Sequence, residues 1–166
     1  SSAEVLGYSA FDGCSSLTHI EIPTSVMYIG DDAFLNCTLL EQIVIPCSVI
    51  FIGYNAFSGC TSLTQITIPS SVRFIKNNVF QGITALKIMG NMERIHRDLF
   101  KECASITHIT IPSSVILIEE YAFYECSALK EIEIPPSVLS IGDYAFFKCT
   151  SLTEITIPSS VTEIGN

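Results

Sequence analysis

From Val49 to Ser71 the chain reads VIFIGYNAFSGCTSLTQITIPSS, and the same string recurs along the whole sequence with its Ile, Ala-Phe, Cys, Leu and Ile-x-Ile-Pro at fixed offsets. Self-similarity at such a period is the signature of a solenoid, and it constrains the fold more than any local propensity does. Units begin at Ala3, Val26, Val49, Val72, Met92, Val115 and Val138, and a fragment runs from Val161 to Asn166. Six units have 23 residues and the fourth, 72–91, has 20.

The apolar positions stay in phase and form columns. One holds Leu6, Ile29, Ile52, Ile75, Ile95, Ile118, Ile141 and Ile164; a second holds Phe11, Phe34, Phe57, Phe80, Phe100, Phe123 and Phe146. A third holds Cys14, Cys37, Cys60, Cys103, Cys126 and Cys149, with Ile83 in the fourth unit, and a fourth runs Leu17, Leu40, Leu63, Leu86, Ile106, Leu129 and Leu152. Such columns imply a core that is a quasi-one-dimensional stack, in which each coil buries its apolar residues against its neighbours. Burying one Phe side chain is worth roughly 1.5–3 kcal/mol, so the Phe column is a large part of the cohesion between coils.

Within one unit, Ser62 to Pro69 alternates apolar and polar residues as a half-buried strand does, and Pro69 ends it for want of an N–H. Equivalent strands recur once per coil in the same direction and so stack into a parallel sheet, about 4.8 Å apart. Ser70-Ser71 turns the chain, Val72 to Ile75 begins a second extended run, and Gly53 to Cys60 reads as a single helical turn. Gly13, Asn36, Gly59 and Gly82 precede the Cys column, where a left-handed exit favours Gly or Asn. The expectation is an α/β solenoid of about seven coils, with a parallel β-sheet on one face and short helical turns on the other, in a single domain over 1–166. Neither end shows a polar cap, which predicts an excerpt of a longer array. The fourth unit loses its Cys, its Ile-Pro strand end and its Gly (Lys76), and the fifth has His96 at the Gly position, so the stack is expected to change course near Met89–Met92.

Composition narrows the function. The net charge of −9 disfavours a nucleic-acid partner, whose phosphates need a broad positive surface. No apolar run reaches the roughly 20 residues of a membrane span. Residues 73–101 nevertheless hold six of the eight basic residues against two acidic ones, a net +4 that leaves −13 for the remainder.

The repeat resembles the BspA-like leucine-rich repeats of the treponemal class, whose unit has the form SVxxIGxxAFxxCxxLxxIxIPx. Val138 to Ser160, VLSIGDYAFFKCTSLTEITIPSS, follows that form at nearly every fixed position, and the likeness covers 3–166. The resemblance implies a leucine-rich repeat solenoid in a cell-surface or secreted protein. It also implies adhesion to host or extracellular-matrix proteins, or to another repeat protein. A cytoplasmic scaffold is the alternative.

For chemistry the residues offer little. The seven cysteines make no CxxC pair, and their spacing of 23 is that of the repeat, which reads as reduced thiols filling the core. Cys47 replaces a turn Ser or Thr and should be accessible. His19 and His108 share a repeat position four coils apart, roughly 19 Å, too far to hold one metal. No nucleophile elbow, phosphate loop or HExxH string is present, so neither catalysis nor a cofactor is expected. Asp31-Asp32, Glu119-Glu120 and Glu131/Glu133 read as solvated carboxylates.

The surface therefore carries the functional expectation. On the strand face the outward positions are His19, Glu21, Gln42, Val44, Gln65, Thr67, Lys87, His108, Thr110, Glu131, Glu133, Glu154 and Thr156, a rigid polar strip suited to protein recognition. Arg73, Lys87, Arg94 and Arg97 form a candidate belt for an acidic partner. Met27, Tyr28, Ile50, Phe51 and Phe74 fill outward positions of the V-x-x-I segment, an apolar patch open to self-association.

Overall fold

The computed structural model describes residues 4–166, so the Ala3 start of the first repeat lies outside the described residues. Each repeat closes into one coil, and three backbone ladders run from coil to coil. The main parallel sheet holds Gln42–Val44, Gln65–Thr67, Ala85–Met89, His108–Thr110 and Glu131–Glu133 in sequence order, extended by a bridge from Glu133 to Thr156. A second parallel sheet is built from two-residue strands of the V-x-x-I segment and comes in two halves. Val5–Leu6 to Phe74–Ile75 forms one, and Arg94–Ile95 to Glu163–Ile164 the other.

The third ladder corrects the expected helical turns, for no helix is present among the described residues. In the third coil the N–H groups of Ser58 and Cys60 donate to Asn55 and Phe57 within the coil. Those of Asn55, Phe57 and Gly59 instead donate to Asn77, Val79 and Gln81 of the next coil. An α-helix needs every N–H for its own i−4 carbonyl; here half of them serve the stack. Each coil also bends through two residues of positive φ four positions apart, such as Asn55 and Gly59, which a helix does not tolerate. The expected left-handed exits at Gly13, Asn36, Gly59 and Gly82 are all present, and Glu102, Glu125 and Lys148 adopt the same conformation in other coils.

Inside, the columns are continuous. Phe34, Phe57, Phe80, Phe100 and Phe123 are fully buried, and successive rings of the column stack at 5.1 to 6.4 Å. Among the described residues no charged or polar residue is fully buried, although single polar atoms are. The Cys column is more than apolar filling. The Sγ–H of Cys37, Cys60, Cys126 and Cys149 donates to the carbonyl of Phe11, Phe34, Phe100 and Phe123 in the preceding coil, at 2.9–3.1 Å. A thiol is small enough for the column yet supplies a weak donor, which Ala or Val cannot. All seven cysteines are free; burial raises the thiols of Cys37 to about 11 and of Cys60 and Cys103 to about 12, while Cys47 is exposed.

Two side-chain positions explain the remaining consensus. Ser48, Ser114, Ser137 and Ser160, each the last residue of its repeat, donate from Oγ to the carbonyl of the first residue of the same repeat, Val26, Met92, Val115 and Val138, one turn earlier, at 2.6–2.8 Å. The Gly after the Ile column sits where coils nearly touch: a Cβ on Gly142 would meet the Glu120 nitrogen at 2.5 Å.

The short fourth coil disturbs this order. Ala85–Met89 pairs with Gln65–Thr67 through Lys87–Met89 and with His108–Thr110 through Ala85–Lys87. The register therefore jogs by two residues across one strand. An even shift keeps Leu86 and Ile88 inward and Lys87 outward, where an odd one would expose them. Between the fourth and fifth coils the second sheet stops. The turn ladder stops there too, the Gly82 N–H going to Ser105 Oγ instead of a backbone carbonyl. Ser71 Oγ and Gln81 Oε1, both next to this junction, are buried without a partner.

Phe57→Ala should cost about 3–5 kcal/mol in urea unfolding, because it empties a slot between two stacked rings. Gln65→Ala should stay within about 0.5 kcal/mol. Equal losses for the two would refute the column assignment.

Candidate functional site

Alternation along the main strands turns Gln42, Val44, Gln65, Lys87, Met89, His108, Thr110, Glu131 and Glu133 outward into solvent, with Thr67 half-buried among them. Their inward neighbours Ile43, Ile66, Ile88, Ile109 and Ile132 anchor the strip to the core. His19, Glu21 and Glu154 are exposed outside the named strands, at the two ends of the strip, and Thr156 joins it through its bridge. Because of the jog, Lys87 stands beside both Gln65 and Thr110, while Ala85 stands beside His108.

Charge along the strip is uneven. Its middle is neutral apart from Lys87. Its far end gathers Glu131, Glu133 and Glu154 in a groove of about 600 Å³, where the His108 ring lies 3.9 Å from Glu131. At the near end a cleft of about 450 Å³ is lined by His19, Glu21, Val44 and the exposed Cys47.

The basic residues do not form one belt, although Arg73 and Arg94 line a common cleft. Lys87 lies on the main sheet, whereas Arg73 and Arg94 lie on the second sheet, to either side of its interruption. Arg94 pairs with Glu119 at 3.0 Å, Arg97 pairs with Glu120 and Asp98, and Lys101 lies 3.6 Å from Asp98. Arg73 and Lys87 have no ion pair among the described residues, and Lys76 places its ammonium over the rings of Phe51 and Tyr54. The carboxylates at 31–32 and 119–120, expected as a solvated face, are engaged between coils: Asp31 accepts the Tyr54 N–H and Glu119 accepts the Arg97 N–H, both at 2.9 Å.

Sequence reasoning missed an aromatic edge. Tyr121 stacks on Tyr144 at 5.4 Å and Tyr124 on Phe147 at 5.3 Å, with Arg97 and Lys101 over the rings on one side and Lys148 over Phe147. The signal was an aromatic residue at the second and fifth places after the Gly position, present in the last two full repeats only.

Beside the interruption, a cleft of about 430 Å³ is lined by Arg73, Glu93, Arg94, His96 and Glu119. Burial holds the His96 imidazole below its ordinary 6.5, outweighing the pull of the Glu119 carboxylate and the Val72 backbone. Chemically this is a neutral ring in a lined cleft. Among the described residues no three His, Cys, Asp or Glu are grouped to hold a metal ion, and no helix is long and apolar enough to cross a membrane.

A family profile described as BspA type leucine rich repeat region, in six copies, matches residues 1–103 and 82–166. No curated protein matches the chain. A leucine-rich repeat protein from Bacteroides ovatus is 36% identical, with 97% of this chain and 48% of that one covered, at a TM-score of 0.54. One from Eubacterium ventriosum is 27% identical over 86% and 40%, at 0.61. The leucine-rich repeat protein of T. pallidum is 32% identical over 84% and 67%, at 0.59. The chain thus spans about half the length of the first two or less.

A histidine held below its ordinary value takes up a proton in the unfolded chain before the folded one, so stability falls as pH drops below 6.5 and levels off beneath the folded value. Urea midpoints taken at about pH 7.5 and about pH 5.5 should fall more for the native chain than for His96→Gln. The same fall in both would show that His96 does not feel the cleft.

Proposed function

The chain belongs to the BspA-type leucine-rich repeat family, and on that premise we propose that it is a non-catalytic protein-binding module that engages a host or extracellular-matrix protein through the outward strip of its main sheet. Repeat arrays of this kind are generally protein-interaction scaffolds. The observation that carries the choice of face is continuity: of the three ladders, the main sheet alone runs unbroken across the junction of the fourth and fifth coils. A partner spanning several coils meets a preorganised surface there, with little ordering cost on this side. The strip includes Gln42, Gln65, Thr67, Lys87, His108, Thr110, Glu131 and Glu133, with His19, Glu21, Glu154 and Thr156 at its ends. Arg73 and Arg94 flank it on the neighbouring face. A cell-surface or secreted location fits this role.

A second reading, an intracellular scaffold, draws on the seven cysteines without a disulfide, which suit a reducing compartment. An export signal encoded with the repeat array would decide for the first.

Of the basic residues, the unpaired ones have most to offer a partner. Arg73 and Lys87 have no ion pair among the described residues, whereas Arg94 is paired with Glu119. With each of a panel of extracellular-matrix proteins passed over the immobilised chain, reversing Glu131 and Glu133 to Lys should weaken capture by about tenfold or more, as loss of complementary charge does. Arg73→Glu with Lys87→Glu should slow association and flatten its salt dependence, and Lys148→Glu, on the turn edge, should change neither. Capture of a panel of matrix proteins that is absent, or indifferent to both strip variants, would exclude the strand face.

A further inference from the structure

The opening between the fourth and fifth coils has the shape of a wedge. No Cα atom of Phe74–Ile75 lies within 8 Å of one in Arg94–Ile95, whereas neighbouring strands of a sheet stand about 4.8 Å apart. The Phe column records the same tilt: Phe80 and Phe100 meet at 25°, while every other pair of successive rings lies within 10° of parallel. On the main-sheet side the two coils stay joined, Ala85–Lys87 to His108–Thr110. On the turn side one hydroxyl replaces the ladder, Ser105 Oγ accepting the Gly82 N–H at 3.0 Å and donating to the Ile83 carbonyl at 2.9 Å. On the second-sheet side no backbone bond crosses among the described residues. Left without one are the Arg73 and Ile75 carbonyls of the fourth coil and the Arg94 and His96 N–H groups of the fifth. Their equivalents one coil earlier do bond, the Phe74 N–H to Ile50 at 3.2 Å and the Lys76 N–H to Ile52 at 3.0 Å.

His96 stands at the position held by Gly in most coils, where a side chain projects at the preceding coil: a Cβ on Gly53 would meet the Asp31 nitrogen at 2.5 Å. Lys76 and Glu119 occupy the same position, yet their coils stay laddered, the Lys76 N–H to Ile52 and the Glu119 N–H to Ile95, each at 3.0 Å. Both of those side chains lie out across the preceding coil, Lys76 over the rings of Phe51 and Tyr54 and Glu119 on Arg94. The His96 ring is instead turned into the cleft, against the Val72 backbone. We propose that this junction is a joint with two positions, for which the His96 ring is the wedge. With the ring inserted the second face stands open. With the ring swung outward, as Lys76 and Glu119 are, the two halves of the rod rotate about the main sheet and the face closes, the Arg94 and His96 N–H groups donating to the Arg73 and Ile75 carbonyls. The free edges already carry those donors and acceptors in the order of the neighbouring ladders, so closure needs no new register. The buried Ser71 Oγ and Gln81 Oε1, which lack a partner, lie beside the joint, where the open position leaves polar atoms unpaired. The outward strip crosses the joint between Lys87 and Thr110, so its curvature differs between the two positions, and a partner that spans both halves selects one of them. The joint stands whether or not the strip binds a matrix protein.

The test is a disulfide placed across the opening. Two cysteines whose Cα atoms lie more than about 7 Å apart cannot be bridged without backbone movement. Phe74 and Arg94, both exposed, are farther apart than that, so a bond between these positions reports closure. The background is Cys14→Ser/Cys47→Ser, which removes the two exposed native thiols. In it, Phe74→Cys/Arg94→Cys should form an intrachain disulfide in oxidised glutathione. The rate should be about tenfold or more below that of Tyr28→Cys/Phe51→Cys, a register pair of the unbroken ladder, because the closed position is the less populated one. Adding His96→Gly should bring the first pair to the rate of the second and leave the second unchanged. Once the first pair is oxidised, the His96 amide of the native background, unbonded in the open position, should exchange about tenfold more slowly or less. A Phe74→Cys/Arg94→Cys chain that stays reduced while the Tyr28→Cys/Phe51→Cys chain oxidises shows a rigid opening and overturns the joint. Oxidation at one rate with and without His96→Gly overturns the role of His96 as the wedge.

Discussion

The structure depends on one constraint: every coil must present the same groups at the same height as the coil before it, about 4.8 Å away. The parallel ladders, the stacked Phe rings and the thiol and hydroxyl donors to preceding carbonyls are consequences of that repetition. Each contributes little alone, but they are made once per coil and protect one another from water. The same closeness favours Gly after the Ile column, where a Cβ would run into backbone, and fills the interior columns with apolar side chains and thiols.

Where repetition fails, the three ladders respond differently. Loss of three residues in the fourth coil is absorbed in the main sheet by a two-residue jog that preserves which side chains face inward. The other two ladders have no such freedom, since their strands and turns are too short to slide, and they open between the fourth and fifth coils. His96 and Arg73, the orphaned Ser71 hydroxyl and the division of the second face all lie at this opening. The unbroken sheet suits a long partner.

Much of this was legible in the sequence because a column is a one-dimensional signal. The Phe and Ile columns, the outward strip and the exposed Phe74 follow from counting residues. The left-handed residues before the Cys column follow from their Gly and Asn content. The turn segment was misread because a single coil cannot reveal that half of its N–H groups bond to the next one. Likewise the thiol donors to Phe carbonyls, the Arg94–Glu119 pair and the stack of Tyr121 on Tyr144 join residues 23 to 26 apart, and only the packed coils bring them together. The jog at Ala85–Met89 was hidden for a related reason: the sequence records how many residues are missing, and not which ladder yields.

Amide hydrogen exchange tests the ladder account most directly. The N–H groups of Phe34, Phe57, Phe100 and Phe123 donate to the following coil, whereas Phe80 and Asn78 face the opening. The account predicts slow exchange for the first group and exchange faster by orders of magnitude at Asn78 and Phe80, with Lys87 protected in the continuous sheet. Uniform protection from Ile75 through Phe100 would contradict it, since the coils would then be joined on all three sides.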